Sequence, residues 1–225
     1  MTGLGRLLSI GPTDNTSRER TPRQPLQLIP EGARESFVPY SRVQPALLSA
    51  EADMTRLAAD LPRAAGEAIE VSGQLTDEFG RPLRGVLLEI WNANTFGRYT
   101  HKEDASGLPL DPNFLGLGRV LTDQDGKYRF LTIRPGAYLA RPDIGRWRPK
   151  HIHMSVRGGS SRLVTQMYFA NDPHNDGDPM RILMGDAFKH NVAGEYDAGQ
   201  PDLAAGYRFD IVVGGRNATF FENDL

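Results

Sequence analysis

Residues 119–133 read RVLTDQDGKYRFLTI, two runs of alternating apolar and polar residues split by a turn sequence. Alternation with a period of two is the mark of a half-buried strand. Asp-Gln-Asp-Gly ends on Gly126, a residue able to take the positive φ of a tight turn. The stretch predicts a β-hairpin. Upstream, IEVSGQLTD (69–77) alternates in the same way, and FGRPLRG (79–85) turns the chain into VLLEIWNAN (86–94). Downstream, HIHMSVR (151–157) and RLVTQMYF (162–169) flank Gly-Gly-Ser-Ser, and YRFDIVV (207–213) faces ATFFE (218–222) across GGRN. Short strands at this spacing, with almost no helix between them, predict an all-β fold, an antiparallel β-sandwich or barrel, with a β-sandwich core and long loops as the expected form. The long connections fall at 92–118, 134–150 and 170–200, and long loops on a rigid sandwich are where sites are built.

The first third has another texture. SRERTPRQPLQLIPEGARES (17–36) is rich in proline and charge, which suits an extended N-terminal arm better than a domain. Ser49–Leu61 is the one stretch with helical composition, with Ser49 as cap and Pro62 as stop. The expected division is 1–66 as an arm with one short helix and 67–225 as a β-sandwich catalytic domain.

The chain has 225 residues, a formal net charge of −2 and no cysteine. The charge gives no footprint for nucleic acid or an anionic membrane, and no apolar run approaches the roughly 20 residues of a spanning helix. The start lacks the sustained apolar core of a secretory signal, so a soluble, cytoplasmic protein is expected. Without cysteine there are no disulfides, iron–sulfur clusters or thiol nucleophiles, and a metal would need His, Tyr, Asp or Glu.

His151-Ile-His153 is the sharpest local feature. On a strand, residues i and i+2 share a face, so both imidazoles can reach one ion; two hydrogen-bonded histidines on a solvated face would fit the same pattern. His101, His174 and His190 fall in loop-like segments and read as surface residues. Tyr128, Tyr168 and Tyr207 sit within alternating strands and read as packing residues. Tyr99, in GRYTHK, and Tyr138, in RPGAYLA, sit in long connections where a phenol can reach inward. A phenol with a free pKa of about 10 binds as phenolate only beside a strong Lewis acid such as Fe(III). Position and composition alone leave both tyrosines open to a packing role.

Taken together, GRYTHK, DPNFLGLGR, LTDQDGKYRFLTIRPGAY, RPKHIH, LVTQMYF and the closing YRFDIV…FEN resemble the intradiol ring-cleavage dioxygenases. The likeness runs from about Thr16 to the C-terminus and is nearest the iron-bearing β-type subunits of the protocatechuate branch. It implies non-haem Fe(III) held by Tyr99, Tyr138, His151 and His153, with Tyr99 and His151 equatorial and Tyr138 and His153 axial. Tyr138 would also accept a proton from a substrate hydroxyl, while Arg148 and Gln166 would orient the ring and stabilise its developing charge. The implied reaction is cleavage of a catechol by O2 to a cis,cis-muconate. The implied assembly is an oligomer, with itself or with an α-type subunit of similar fold.

Substrate contacts carried over by position fall on Asp14, Trp91, Ala140 and Met180. Three of these positions depart from the resemblance. Asp14 stands where a tyrosine would meet a substrate carboxylate, and Leu139-Ala140 replaces Pro-Trp after Tyr138. The loop NDPHNDGDPM (171–180), which carries Met180, is unusually acidic. Hydroxyquinol, gallate or a bulkier catechol are therefore alternative substrates. A transthyretin-like, non-enzymatic interaction module is the alternative of a different class, and it leaves the two tyrosines and two histidines without a role.

Overall fold

A computed structural model describes residues 49–102, 104, 106–158 and 162–222. It contains eleven strands: β1 (Ala68–Asp77), β2 (Leu87–Trp91), β3 (Leu117–Leu121), β4 (Lys127–Ile133), β5 (Tyr138–Arg141), β6 (Arg146–Arg148), β7 (His151–Arg157), β8 (Arg162–Phe169), β9 (Val192–Tyr196), β10 (Ala205–Arg208) and β11 (Ile211–Val213). Among the described residues the single α-helix is α1 (Pro179–Met184). None of the described helices is long and apolar enough to cross a membrane.

The fold is all-β, as its alternating runs predict, but the pairing is mixed rather than purely antiparallel. Nine strands form one sheet in the order β11-β1-β10-β9-β8-β7-β2-β3, with β4 beside β1, and β5 and β6 form a separate two-stranded ribbon. β1 runs parallel to β10 and to β11, and β8 runs parallel to β9. A single cluster of buried side chains joins Ile69, Val71, Leu75 and Phe130 from one half of this path to Leu88, Ile90, Ile152, Met154 and Met167 from the other. The sheet thus curls around one core, and removing that apolar surface from water is the main stabilising term.

Only one of the expected hairpins forms as written: β7 and β8 pair antiparallel from His151↔Tyr168 to Arg157↔Arg162. The Asp123–Lys127 turn is present, with Gly126 at φ 71° and the Lys127 carbonyl accepting from the Asp123 N–H at 2.9 Å. Its two strands nevertheless part, β3 pairing with β2 and β4 with β1. Turn chemistry is local, whereas partner choice follows where each apolar face can be buried. β1 does not pair with β2, which lies between β3 and β7. Val212 and Thr219 share one backbone bond and one from the Val212 N–H to the Thr219 hydroxyl, both at 3.0 Å, and residues 218–222 form no strand.

The helix expected over 49–61 is not formed either. A 3-10 turn spans Ser49–Ala52, and then the chain is pinned to β4 by a Met54 N–H bond to the Leu131 carbonyl at 2.8 Å. Asp53 turns its carboxylate onto the Thr55 N–H (2.9 Å) and hydroxyl (2.6 Å), and Met54 and Thr55 are buried. Packing against the sheet outweighs a helical preference of a few tenths of a kcal/mol per residue.

Candidate active site

The site gathers on the face of the β7–β8 hairpin opposite the main core. Strand alternation sends Ile152, Met154 and Val156 into the apolar cluster and leaves His151 and His153 together on the other face. Their rings lie 4.8 Å apart, centroid to centroid. Opposite them, cross-strand register places Tyr168 beside His151 and Gln166 beside His153.

The two tyrosines arrive on loops locked together by glycines. Asn94 builds the first loop: its side-chain oxygen accepts from the N–H groups of Phe96 and Arg98, both at 3.0 Å. Its carbonyl also accepts from Gly97 and Gly136 at 3.0 and 2.9 Å. Gly97 (φ 85°) comes so close to the second loop that an added Cβ would stand 2.6 Å from the Ala137 carbonyl oxygen. Gly136 is equally tight against the Thr95 carbonyl, at 2.5 Å. Only glycine permits this approach, and its result is that Tyr99 and Tyr138 meet edge to face with ring centroids 5.7 Å apart.

The four rings converge. Tyr99 lies 6.1 Å from the His153 ring and Tyr138 lies 5.9 Å from that of His151. The Tyr99 hydroxyl is 3.2 Å from His151 Nε2. Two donors each bound at about 2 Å to one ion stand about 3 Å apart at a right angle, so this spacing suits shared coordination. His151 Nδ1 lies 2.6 Å from the Pro149 carbonyl. A carbonyl only accepts, so Nδ1 carries the proton and Nε2 presents its lone pair to the site. Burial, then Arg148 and His153, hold the His151 pKa well below its ordinary value, which keeps the ring neutral. Trp91, at the end of β2, stacks on His153 at 4.9 Å with the rings 1° from parallel.

Burial pushes both phenols up and Arg148 opposes the rise in each; Tyr99 ends well above its ordinary value with Tyr138 adding to the effect, and Tyr138, which its contact with Tyr99 lowers, rises less far. Phenols in such a setting become phenolates only when a strong cation compensates the lost hydration. No group of three or more His, Asp or Glu converges as a metal site among the described residues, so a metal here requires the tyrosines. A set of two phenol oxygens and two imidazole nitrogens fits a hard, highly charged ion such as Fe(III).

Arg148 lies opposite Tyr138 in the β5–β6 register. Its Nη2 donates to Gln166 Oε1 at 2.6 Å and approaches the Tyr168 hydroxyl at 3.4 Å, and its Nε is 2.7 Å from Asp178 Oδ1. Burial works against the charged guanidinium, but Asp178 and then the tyrosines more than offset it, so its pKa is raised well above its ordinary value. Gln166 donates through Nε2 to Glu222 at 2.6 Å. A carboxylate on one side and a guanidinium on the other fix which way this amide points.

Of the residues expected here, Tyr99, Tyr138, Arg148, His151, His153, Gln166 and Trp91 come together. Ala140 is exposed on β5, at an irregularity between Leu139 and Arg141. Met180 is 2% exposed and packs with Tyr168 and Met184 in a small cluster of its own. Asp14 lies outside the described residues. Sequence reading missed Tyr168, Asp178 and Glu222. Tyr168 was within reach, because it stands two residues after Gln166 and must share its face.

Comparison with known proteins gives the chain's family. A dioxygenase family model matches residues 43–215. The protocatechuate 3,4-dioxygenase beta chain of Burkholderia cepacia is 42% identical over 217 residues, covering 95% of this chain and 92% of that one. The protocatechuate 3,4-dioxygenase alpha chain of Pseudomonas putida is 30% identical, covering 88% and 98%. The solved catechol 1,2-dioxygenase of Acinetobacter, inhibited by bound mercury, superposes with a TM-score of 0.55 at 28% identity over 74% of this chain and 58% of that one. The chain belongs to the intradiol ring-cleavage dioxygenase family.

Proposed function

We propose that this chain is an iron-bearing intradiol dioxygenase subunit that opens the ring of a substituted catechol, protocatechuate or a relative, with O2 to give a cis,cis-muconate. The observation that carries the reading is the convergence of Tyr99, Tyr138, His151 and His153 in one partly buried cluster, with His151 Nε2 3.2 Å from the Tyr99 hydroxyl. These four residues would hold Fe(III). When bound, the ion supplies Lewis acidity that drains electron density from the phenolates and from a chelating catechol.

The chain's own residues supply the rest. Tyr138 would be the base that takes a proton from a substrate hydroxyl, as a phenolate once a bound ion compensates the burial that raises its pKa. Arg148 is a fixed cation for negative charge developing on the ring. Gln166, its amide oriented between Arg148 and Glu222, offers a polar contact of known sense. Trp91 braces His153 and walls the site.

The finer proposals concern partners, place and substrate. Residues 1–66 would serve as an arm, and 67–225 as a catalytic domain whose curled sheet packs as two layers. A relative named as a beta chain and another named as an alpha chain support assembly with an α-type subunit, and the cytoplasm is the proposed location. Ala140 in place of a large aromatic, with Asp14 in the arm, supports a ring substituent bulkier or less acidic than a carboxylate. Aerobic turnover of a panel of 4-substituted catechols tests the reading, alongside iron content and colour. A red-brown protein with iron and muconate product is expected. A colourless, iron-free protein inert toward every catechol would overturn it in favour of an interaction module.

A further inference from the structure

We infer that Asp178 is a positioning residue for the ring-cleavage site: it holds the Arg148 guanidinium in place through an ion pair and through Tyr168. The inference rests on the iron dioxygenase reading above.

Asp178 is the residue before α1, followed by Pro179 at the first helical position. An aspartate at this point ordinarily folds its carboxylate back onto the first free N–H groups of the helix. Here the side chain makes no such bond. It is fully buried and turned the other way, with Oδ1 2.7 Å from Arg148 Nε and Oδ2 accepting from the Tyr168 hydroxyl at 2.8 Å. The residue has given up its local role for one across the site.

That arrangement fixes Arg148 from behind. Nε lies 2.7 Å from Asp178 Oδ1 in an ion-pair contact without hydrogen-bond alignment, Nη2 donates to Gln166, and no hydrogen bond engages Nη1 among the described residues. One edge of the fork is therefore anchored and another is left for a ligand. The Tyr168 hydroxyl has one proton for two acceptors, Asp178 at 2.8 Å and Gln166 at 2.9 Å, and donating to the carboxylate is the stronger choice.

The same loop grips the segment leading into His151 at two further points. Trp147 stacks on His174 at 5.0 Å, and Asp172 accepts from the Lys150 backbone N–H at 3.1 Å and side chain at 3.2 Å. The acidity of NDPHNDGDPM, unexplained by sequence, thereby acquires a use. Asp172 and Asp178 face the two cations of Arg148-Pro149-Lys150.

The experiment compares Asp178→Asn, Asp178→Glu and Arg148→Gln, singly and as the Asp178→Asn/Arg148→Gln double variant. Asp178→Asn should keep its iron and colour, lower kcat about 10–100-fold and leave KM within about threefold. In the Arg148→Gln background the same change should add less than about threefold, since the residue it serves is gone. Asp178→Glu keeps the charge but shifts the guanidinium, so kcat falls with the fold intact even where Asp178→Asn does not accumulate. A second readout needs no metal: in iron-free protein labelled on arginine nitrogen, the Arg148 guanidinium N–H signals, identified by their loss in Arg148→Gln, should exchange faster in Asp178→Asn as the guanidinium loses its place beside Gln166. Wild-type kcat in Asp178→Glu, or full additivity with Arg148→Gln, overturns the inference. If the wild type neither binds iron nor cleaves catechols, the functional reading fails instead, and the exchange measurement still decides whether Asp178 holds Arg148.

Discussion

The two faces of the β7–β8 hairpin are both dry and have opposite chemistry. On one, Ile152, Met154 and Met167 sit at 0% exposure in the main core. On the other, His151, Gln166 and Tyr168 are 2%, 1% and 0% exposed, with every side chain tied to a polar neighbour. Burial stabilises the first face by itself, through lost apolar hydration and close packing. It costs the second face free energy unless each donor and acceptor is matched. One ribbon therefore separates two functions by the parity of its residue numbers, and substitutions on the two faces should have opposite signatures.

The largest effect expected is on the polar face. His151→Ala and His153→Ala each remove a proposed ligand, so purified protein should hold little iron, and kcat/KM should fall about 10³-fold or more while the fold persists. Full iron occupancy in both variants, by metal analysis, would refute the site as drawn. Ile152→Ala lies between the two histidines and should do the reverse. It should lose about 2–5 kcal/mol of stability in denaturant melts, with turnover per bound iron changed less than about twofold. A collapse of turnover without a loss of stability would erase the contrast between faces.

Tyr138→Phe should keep iron yet slow substrate binding and turnover by about 100-fold, because a base has been removed and not the pocket. Stopped-flow binding indistinguishable from wild type would exclude the proton-accepting role. Ala140→Trp should change kcat/KM for 4-substituted catechols by roughly tenfold, against the bulkier substituents and in favour of protocatechuate; equal effects on all rings would remove Ala140 from the specificity argument.

The smallest effect separates Asp172 from Asp178 in the acidic loop. Asp172 resists ionisation through its burial, but hydrogen bonds from the His174 and Lys150 backbones and the Lys150 side chain prevail and hold its pKa below the usual carboxylate value. A depressed folded-state pKa contributes stability above the unfolded value, near 4, and that stability is lost as pH falls through the folded value. Asp172→Asn should cost about 1–2 kcal/mol at neutral pH and flatten the acid limb of the stability profile, with kcat barely moved. A kcat loss matching that of Asp178→Asn would show that the loop acts as one unit.

Much of this was legible in the residues. The His-x-His spacing and the alternation of β7 set both faces of the hairpin, and the glycines at 97 and 136 sit two residues before Tyr99 and Tyr138 in each loop. What escaped reading depended on distance. RVLTDQDGKYRFLTI gave the turn correctly but not the partners of its strands, because those are chosen by a core assembled from elsewhere. Ser49–Leu61 has helical composition and still follows the sheet. Tyr168 was assigned to packing because a buried tyrosine does pack, and its hydroxyl serves Asp178 all the same. Asp178 precedes Pro179, where an aspartate ordinarily caps a helix, and the structure shows no such cap and a partner across the site instead.

The parallel pairing of β1 with β10 has a consequence for synthesis. Ile69 aligns with Ala205, a partner 136 residues later in the chain (205 − 69). At translation rates of roughly 5–20 residues per second, β1 waits on the order of ten seconds for that neighbour to be made. Glu222, which orients Gln166, emerges later still. The β7–β8 hairpin can close on itself early, while the sheet that supports it cannot. During that interval the nascent chain carries its chemistry half arranged and an open strand edge, the condition in which a chaperone has most to protect.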